Sequence, residues 1–363
     1  MRNAIFQMHW LLGITAGLVL ALVGATGAML SFEDAILERL NPGVLRVEPR
    51  GERLAPAQLV ERVAAQRPGD IVASLTMPAD PRGVARVAFA PKEDGGGRGE
   101  RRTLDPYTGA LLPSPRGEGF FRTTMQLHRW LAADDAGKQV VAASTVALVF
   151  FCLSGLYLRW PRGRSTLRTW LALDWKQRGR AFLWRLHAVV GTWVLLAYLV
   201  MALTGLWWSY GWYRATLESW ADRPEAVAVA ADAPAGPLDV QVAWEAFEQV
   251  APAWSEATIN FPRDGGAVTF RYLDADPTHE RARNQLSLDP ATLAVVAHER
   301  YDEGTFAQRL VGGIFALHRG SWFGPVGTWV FMLASAAMPL FAITGWMLYL
   351  DRRRKRNALQ RSR

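Results

Sequence analysis

Four histidines in this chain have the chemistry of metal ligands and recur at matched spacings. They are His9, His128, His187 and His318, four of the six histidines in the sequence. A Thr-Gly dipeptide follows His9 and His187 at one common interval, and a Ser-Gly or Thr-Gly dipeptide follows His128 and His318 at a second, longer interval. These dipeptides are Thr26-Gly27, Thr204-Gly205, Ser154-Gly155 and Thr344-Gly345. Imidazole is the commonest metal-ligating side chain. The spacing predicts an internal duplication that carries two kinds of histidine.

Four apolar runs are long enough to position these histidines in a membrane. They cover residues 10–32, 139–160, 186–212 and 325–350, and their central parts lack Asp, Glu, Lys and Arg. Each is longer than the ~20 residues that cross a hydrocarbon core of about 30 Å. The first run is longer than the ~7–15 apolar residues of a secretory signal. We therefore predict four transmembrane helices, with the first one retained.

The positive charges predict the orientation of these helices. Segment 159–185 carries eight Lys or Arg against one Asp, and segment 351–363 carries seven against one. By the positive-inside rule, both termini and the central loop lie in the cytoplasm and the two long connections lie outside. The net charge of +8 is thus juxtamembrane, and we expect no nucleic-acid partner. The single cysteine, Cys152, excludes an intrachain disulfide and a Cys-ligated iron–sulfur cluster.

The two long connections have the same order of predicted elements. In the first, a helix at 54–66 is followed by strands at 71–77 and 84–90, a Gly-rich turn at 94–99 and the turn Asp105–Gly109. In the second, a helix at 238–251 is followed by strands ATINFP and AVTFRYL and a turn at Asp289. Each connection is predicted to be an α+β domain of its own. The fold class is therefore a mixed membrane protein with four transmembrane helices in a pseudo-two-fold bundle and two outer α+β domains.

These boundaries give eight consecutive segments. They are the N-terminal cytoplasmic end with the first span (1–32), the first outer domain (33–124), an interfacial segment with the second span (125–160), the basic cytoplasmic loop (161–185), the third span (186–213), the second outer domain (214–313), an interfacial segment with the fourth span (314–350) and the basic cytoplasmic tail (351–363).

Several motifs carry a resemblance to a known family. They are LHRWL at 127–131, LSGLYLRWPR at 153–162, LHRGSWFGPVG at 317–327 and, after the helix of the first outer domain, LDPYTGALL. The chain resembles the PepSY-associated transmembrane family, iron-regulated bacterial inner-membrane proteins that include ferric-siderophore reductases. The second outer domain departs from the pattern, with DPATL in place of DPYTG. The resemblance implies PepSY-like periplasmic domains, a haem cofactor and a path that carries electrons outward to a ferric siderophore or another ferric chelate.

His9 and His187 enter their helices from the cytoplasmic side, and a glycine follows each at the fourth position. Positions i and i+4 share a helix face, so Gly13 and Gly191 leave room for a flat ligand beside the imidazole. The same glycines also suit close helix packing. The pair is predicted to supply two axial ligands to one haem iron near the inner face.

His128 and His318 require another arrangement. The stretch from either one to the glycine of its dipeptide would span ~40 Å as one helix, longer than the apolar core. We therefore predict that each lies on a short interfacial segment at the outer face. Arg129 and Arg319 follow directly, and an arginine fork can hold a haem propionate, although either can be a simple interfacial charge.

The sequence thus predicts two bis-histidine b haems, held noncovalently because no CxxCH motif occurs. The cofactor-binding residues are His9, His187, His128, His318, Arg129, Arg319, Gly13 and Gly191; no catalytic residue is assigned. The Thr-Gly and Ser-Gly dipeptides are predicted to serve helix packing, and His279 and His298 to be solvated surface. Without a G-x-G-x-x-G motif, electrons must come from a cytoplasmic reductase or from membrane quinol.

Two other functions compete with electron transfer. One is a metal or small-molecule permease, although the four spans lack the acidic residues that cation transport usually needs. The other is a non-catalytic, membrane-anchored periplasmic module that binds ligands or regulates peptidases. Neither gives the four registered histidines a purpose, so we predict a haem-dependent oxidoreductase.

Overall fold

A computed structural model describes residues 1–91, 99–160, 166–221, 238–262 and 266–361. The chain divides into two compact units. The helical unit consists of Met1–Glu33, Phe120–Leu217 and Ile314–Arg363, and the sheet unit consists of Asp34–Gly119 and Glu218–Gly313. The Gly-rich turn predicted at 94–99 lies almost wholly outside the described residues.

Along the chain, segments of the helical unit alternate with segments of the sheet unit. The helices are α1 (Arg2–Leu30), α2 (Glu33–Leu40), α3 (Pro56–Gln66), α4 (Glu118–Trp130), α5 (Asp134–Arg159), α6 (Leu167–Leu171), α7 (Gly179–Ser209), α8 (Gly211–Ala221), α9 (Val240–Val250), α10 (Phe306–Gly312), α11 (Ile314–Arg319), α12 (Gly324–Ala336) and α13 (Met338–Arg361), with a 3-10 turn at Ser321–Phe323. The strands are β1 (Val72–Pro78), β2 (Ala85–Phe89), β3 (Arg101–Leu104), β4 (Trp254–Asn260), β5 (Val268–Asp274), β6 (Arg283–Leu288) and β7 (Val295–Glu299).

The helical unit confirms the four predicted membrane helices. Among the described residues, four helical segments are long and apolar enough to cross a membrane: α1, α5, α7 and the segment Ser321–Ala358. A helix that is apolar all round is typical of a membrane span, because lipid replaces water on its outer face.

The fourth span is interrupted at Ala337, between α12 and α13. Pro339 has no N–H to donate to the carbonyl of Ser335, so the helical hydrogen-bond ladder is broken at this point. α1 passes close to the interruption at Gly24. A Cβ on Gly24 would overlap the Cβ of Met338 and lie 2.7 Å from the Ser335 carbonyl oxygen. The absent side chain therefore permits this helix contact.

The short helices α4 and α11 confirm that His128 and His318 lie outside the long spanning helices. Between α4 and α5 the backbone turns sharply, with positive φ at Leu131, Ala132 and Asp134. Between α11 and α12 the turn depends on Gly320, at φ +80°, where a Cβ would lie 2.6 Å from the Gly327 carbonyl oxygen. Both turns end a short helix before a spanning helix begins.

The sheet unit contains one seven-stranded sheet in the order β3-β2-β1-β4-β5-β6-β7, with every neighbouring pair antiparallel. β1 and β4 join the halves, with Leu75 opposite Ile259. α3 and α9 pack Leu59 and Phe247 into a single core with these strands. The segments 33–124 and 214–313, predicted as separate domains, thus share one sheet and one core.

Both Asp-Pro turns form in the same way. Asp105 accepts a hydrogen bond from the N–H of Tyr107 at 2.8 Å, and Asp289 accepts from the N–H groups of Thr292 and Ala291 at 2.7 and 3.0 Å. Hydrogen bonds from Thr292 and Ala291 lower the pKa of Asp289. DPATL therefore builds the same aspartate turn as DPYTG.

A carboxylate bridges the two halves of the sheet. Glu256 on β4 forms ion pairs with Arg86 on β2 and with Arg283 on β6, the latter at 2.9 Å. The side chain of Glu256 is 21% exposed. Burial raises the pKa of Glu256, but the charges and hydrogen bonds of the two arginines outweigh it, so its pKa lies below the usual 4.5.

Candidate functional site

The four histidines form two pairs within the helical unit. His9 on α1 and His187 on α7 have ring centroids 6.5 Å apart, and we call them pair 1. His128 on α4 and His318 on α11 have ring centroids 6.4 Å apart, and we call them pair 2. The structure thus brings together the same partners that the sequence repeat predicts.

Both pairs have the separation that one metal ion between two imidazoles needs. Two metal–nitrogen bonds of about 2 Å, together with the half-widths of two rings, put the centroids about 6 Å apart. The rings are inclined by 65° in pair 1 and 69° in pair 2. Within the described part of the chain, no group of three or more His, Cys, Asp or Glu could hold a metal ion.

In pair 1, each imidazole is hydrogen-bonded by a hydroxyl on a different helix. His9 Nδ1 lies 2.7 Å from Ser154 Oγ on α5. His187 Nδ1 lies 2.7 Å from Thr344 Oγ1 on α13. Both hydroxyls belong to the Ser-Gly and Thr-Gly dipeptides. Because these bonds engage Nδ1, Nε2 of each ring is the nitrogen that can bind a ligand.

Pair 2 repeats this arrangement with the other two dipeptides. His128 Nδ1 lies 3.2 Å from Thr26 Oγ1 and 2.9 Å from the Val23 carbonyl oxygen, both on α1. His318 Nδ1 lies 2.9 Å from Thr204 Oγ1 on α7. The sequence assigned these dipeptides to helix packing, and the structure adds a contact that this prediction did not include: all four hydroxyls lie within hydrogen-bond distance of a paired histidine.

The glycines of two dipeptides make room for the rings of pair 2. A Cβ on Gly27 would lie 3.1 Å from Cε1 of His128, and a Cβ on Gly205 would lie 3.4 Å from Cε1 of His318. Sequence reasoning missed these glycine contacts and the hydroxyl–histidine bonds. A signal for the bonds was present, because Thr26 and His128 lie at the same end of the predicted bundle and a hydroxyl oxygen can accept a hydrogen bond from an imidazole.

Pair 1 opens into a cavity of about 1450 Å³. His9, His187, Gly13 and Gly191 all line it. A Cβ on Gly13 would meet no described atom within 4 Å, and one on Gly191 would meet only Cε1 of Phe341, at 3.5 Å. Neither glycine is therefore needed for a close helix contact. Both leave open space beside the histidines.

One end of this cavity is cationic. Its basic lining residues are Arg2, Arg159, Arg180, Arg352, Arg353, Lys355 and Arg356. They lie at the start of α1, the end of α5, the start of α7 and the end of α13. None of the described residues that line the cavity is acidic. The cavity therefore suits a ligand with an apolar body and anionic groups at one edge.

The sequence profile described as "PepSY-associated TM region" matches residues 6–352. The chain belongs to this family. Comparison with curated proteins gives no match. The family and the four apolar helices together establish a membrane protein.

In this family member, Arg159 hydrogen-bonds to two neighbouring helices at one border of the cavity. Its guanidinium donates to the carbonyls of Thr169 and Trp170, at 2.8 and 2.7 Å, and lies over the Trp170 ring. It also donates to the Ala188 carbonyl and the Thr192 hydroxyl. One arginine thus ties α5, α6 and α7 together beside pair 1.

Arg129 and Arg319 lie next to pair 2 in sequence and contact aromatic rings. The guanidinium of Arg129 lies 4.2 Å from the Trp130 ring centroid. Arg319 lies 5.4 Å from the Phe315 ring centroid and donates to the Ser31 carbonyl at 2.9 Å. The Ser31 contact places Arg319 near the end of α1, and the propionate role of both arginines stays a prediction.

The prediction that His279 is solvated was wrong. Its exposed fraction is 7%, and its Nε2 lies 2.8 Å from the Tyr301 hydroxyl. His298 is half-buried, with Nε2 2.8 Å from the Tyr272 hydroxyl. Both belong to the sheet unit and form no pair with another histidine among the described residues.

Proposed function

We propose that this protein binds two b-type haems, one at each histidine pair, and transfers electrons across the membrane. The observation that carries the proposal is the repeated ring separation of 6.5 and 6.4 Å. His9 and His187 would hold one haem and His128 and His318 the other, and haem bound by two imidazoles would supply one-electron oxidation and reduction.

The residues of pair 1 fit such a ligand. The two imidazoles would supply two nitrogen ligands to its iron. The cavity is apolar where it surrounds the histidines. Its cationic end matches the two propionates of haem, because arginine holds carboxylates well.

The two pairs lie at different levels along the bundle. Thr26, which binds His128, lies on the same continuous helix α1 as His9. At a rise of about 1.5 Å per residue, the two levels are ~25 Å apart, a large part of a bilayer core. Pair 1 is on the side of the basic segments, so the positive-inside rule puts it near the cytoplasm and pair 2 near the periplasm.

The proposed acceptor is a ferric siderophore or another ferric chelate on the periplasmic side. This part rests on the chain's resemblance to a family of iron-regulated inner-membrane proteins that include ferric-siderophore reductases. The electron donor lies outside the chain and is either a cytoplasmic reductase or membrane quinol. In the proposed role, the protein residues hold the cofactors, exclude water and fix the distance between the two pairs.

The cofactor proposal is tested by purifying the full chain in detergent and recording its oxidised and dithionite-reduced spectra. We expect a reducible b-type spectrum with two haems per chain. His9→Ala and His187→Ala should remove the same haem, while His128→Ala and His318→Ala should remove the other. His279→Ala is the matched control and should retain both, since this histidine belongs to the sheet unit.

Three results would contradict the proposal. A colourless wild-type protein that takes up no haem on reconstitution would reject the cofactor. Loss of both haems from each of the four paired-histidine variants, with both retained in the His279→Ala control, would mean that the pairs do not act as separate sites. Reduced wild-type protein that is not reoxidised by ferric hydroxamate or catecholate chelates, with a ferrous trap present, would reject the acceptor.

A further inference from the structure

We infer that the hydroxyls of Thr26, Ser154, Thr204 and Thr344 fix the proton of each paired imidazole on Nδ1, so that the lone pair of Nε2 is presented as the ligand. These four are positioning residues, since they act through the histidines. The proton assignment depends only on hydrogen bonds, whereas its effect on iron rests on the proposed function.

The assignment follows from where each hydroxyl sends its own proton. Thr344 Oγ1 donates to the Leu340 carbonyl at 2.7 Å, one turn earlier on the same helix. Ser154 Oγ donates to the Phe150 carbonyl at 2.6 Å in the same way. A hydroxyl has one proton, which these carbonyls take. Toward the imidazole the oxygen can therefore only accept, and Nδ1 must carry the hydrogen.

Pair 2 gives the same result independently. Thr26 donates to the Leu22 carbonyl at 2.7 Å, and Thr204 donates to the Val200 carbonyl at 2.6 Å. His128 Nδ1 also lies 2.9 Å from the Val23 carbonyl oxygen, which has no proton to give. Its Nδ1 must again be the donor.

His279 has the opposite tautomer and serves as an internal reference. Its Nδ1 accepts a hydrogen bond from the backbone N–H of Arg281 at 3.1 Å. Its proton is therefore on Nε2, which donates to the hydroxyl of Tyr301 at 2.8 Å, while that hydroxyl donates to the Arg309 carbonyl. One chain thus contains both tautomers, each set by its own acceptors.

The hydroxyls also hold the rings from across the bundle. His9 on α1 is bonded by α5, and His187 on α7 is bonded by α13. An imidazole fixed at its own Cβ and at Nδ1 loses most of its freedom to rotate. Partners of this kind orient metal-ligating histidines and raise their basicity, and their removal typically costs about 10–100-fold in affinity.

The proton assignment is tested on the full-length chain produced in a haem-deficient host, labelled with [15N]histidine and placed in lipid nanodiscs. Single His→Gln variants assign the signals. We expect the proton on Nδ1 in all four paired histidines and on Nε2 in His279. A proton on Nε2 in either member of pair 1 would overturn the inference.

The positioning role is tested on haem-loaded protein with Thr344→Val, which keeps the shape but removes the acceptor. We expect about 10–100-fold weaker haem binding at pair 1. We also expect a more positive midpoint potential, because a less basic imidazole stabilises ferric iron less. Thr344→Ser should restore both. Thr15→Val is the matched control, since Thr15 on α1 makes the same bond to its own helix without touching a histidine.

The second acceptor of His128 makes the test sharper. In Thr26→Val the Val23 carbonyl still accepts the Nδ1 proton, so we expect a smaller effect at pair 2 than Thr344→Val has at pair 1. Unchanged affinity and potential in Thr344→Val would overturn the positioning role. If the wild type binds no haem, the proposed function fails, and the tautomers measured on haem-free protein still decide the proton assignment.

Discussion

Two glycines on α1 have different roles: one permits close helix packing, and the other leaves space for a ligand. Gly24 lies against the interruption of the fourth span, and Gly13 faces the cavity beside pair 1. Alanine at each position adds one carbon to the same helix. Gly24→Ala should therefore lower stability, whereas Gly13→Ala should lower haem binding at pair 1.

Gly24→Ala should destabilise the helical unit. Carbon atoms pack at about 3.5–4.0 Å, whereas the new Cβ would overlap the Cβ of Met338 and lie 2.7 Å from the Ser335 carbonyl oxygen. A backbone oxygen cannot move away by rotating a side chain. Overpacking costs about 1–3 kcal/mol, and the higher helix propensity of alanine returns up to about 1 kcal/mol. With the full propensity gain, we expect a net loss of up to about 2 kcal/mol.

Gly13→Ala should leave the stability of the haem-free protein unchanged or slightly higher, because its Cβ would meet no described atom within 4 Å. The same carbon extends into the cavity toward the space that the proposal gives to a porphyrin. A misfit of about 1–3 kcal/mol corresponds to roughly 5- to 150-fold weaker binding. We expect the haem of pair 1 to be depleted and that of pair 2 to be retained.

The assay compares thermal unfolding of the haem-free proteins in detergent with the haem content of the loaded proteins. Wild type and Gly119→Ala serve as references, since a Cβ on Gly119 meets no described atom within 4 Å and Gly119 does not line the cavity. The reasoning is refuted if Gly13→Ala lowers the unfolding temperature as much as Gly24→Ala. It is equally refuted if Gly13→Ala loads two haems as readily as the wild type.

Three further changes test other parts of the structure. Glu256→Gln should lower the free energy of unfolding by about 1–3 kcal/mol at neutral pH, because it removes the carboxylate between two arginines. Since the folded pKa of Glu256 is lowered, the difference from wild type should shrink as pH falls from the usual 4.5 through the folded pKa. Thermal unfolding across pH measures it. Arg159→Lys should speed proteolysis of the connection between α5 and α7, because an ammonium cannot replace a fork that reaches four acceptors. Replacing Arg352 and Arg353 together by Gln should reduce haem loading at pair 1 and spare pair 2, read from the haem-to-protein ratio.

Much of the helical unit could be predicted from the sequence because its signals are local. Apolar length alone indicates the four spans, and the distance from His128 to Gly155 excludes one continuous helix. The repeat also gives the correct histidine partners. The hydrogen bonds between helices could not be read in this way, because the residues of each bond are far apart in sequence: His187 and Thr344 are separated by 157 positions.

The sheet shows the same limit. Alternating residues predict four of the strands, β1, β2, β4 and β5, but not β3, β6 or β7. The pairing of β1 with β4 joins residues that are distant in sequence, such as Thr76 and Thr258. Each half alone would leave an edge strand unpaired, which proteins tend to avoid. The whole sheet still has edges at β3 and β7, so an unpaired edge in one half does not by itself predict that β1 pairs with β4.

The two histidine pairs are separate sites built on the same two helices, because α1 and α7 contribute residues to both. α1 carries His9 for pair 1 and Thr26 for pair 2, and α7 carries His187 and Thr204 in the same roles. The interval from histidine to threonine is the same on each helix, and both helices are continuous over this length. A rigid helix fixes rise and rotation together. The distance between the pairs is therefore set on α1 and again on α7 by the same interval from histidine to threonine. If the pairs hold haems, the spacing that first marks the chain as a repeat also sets the length of the electron path.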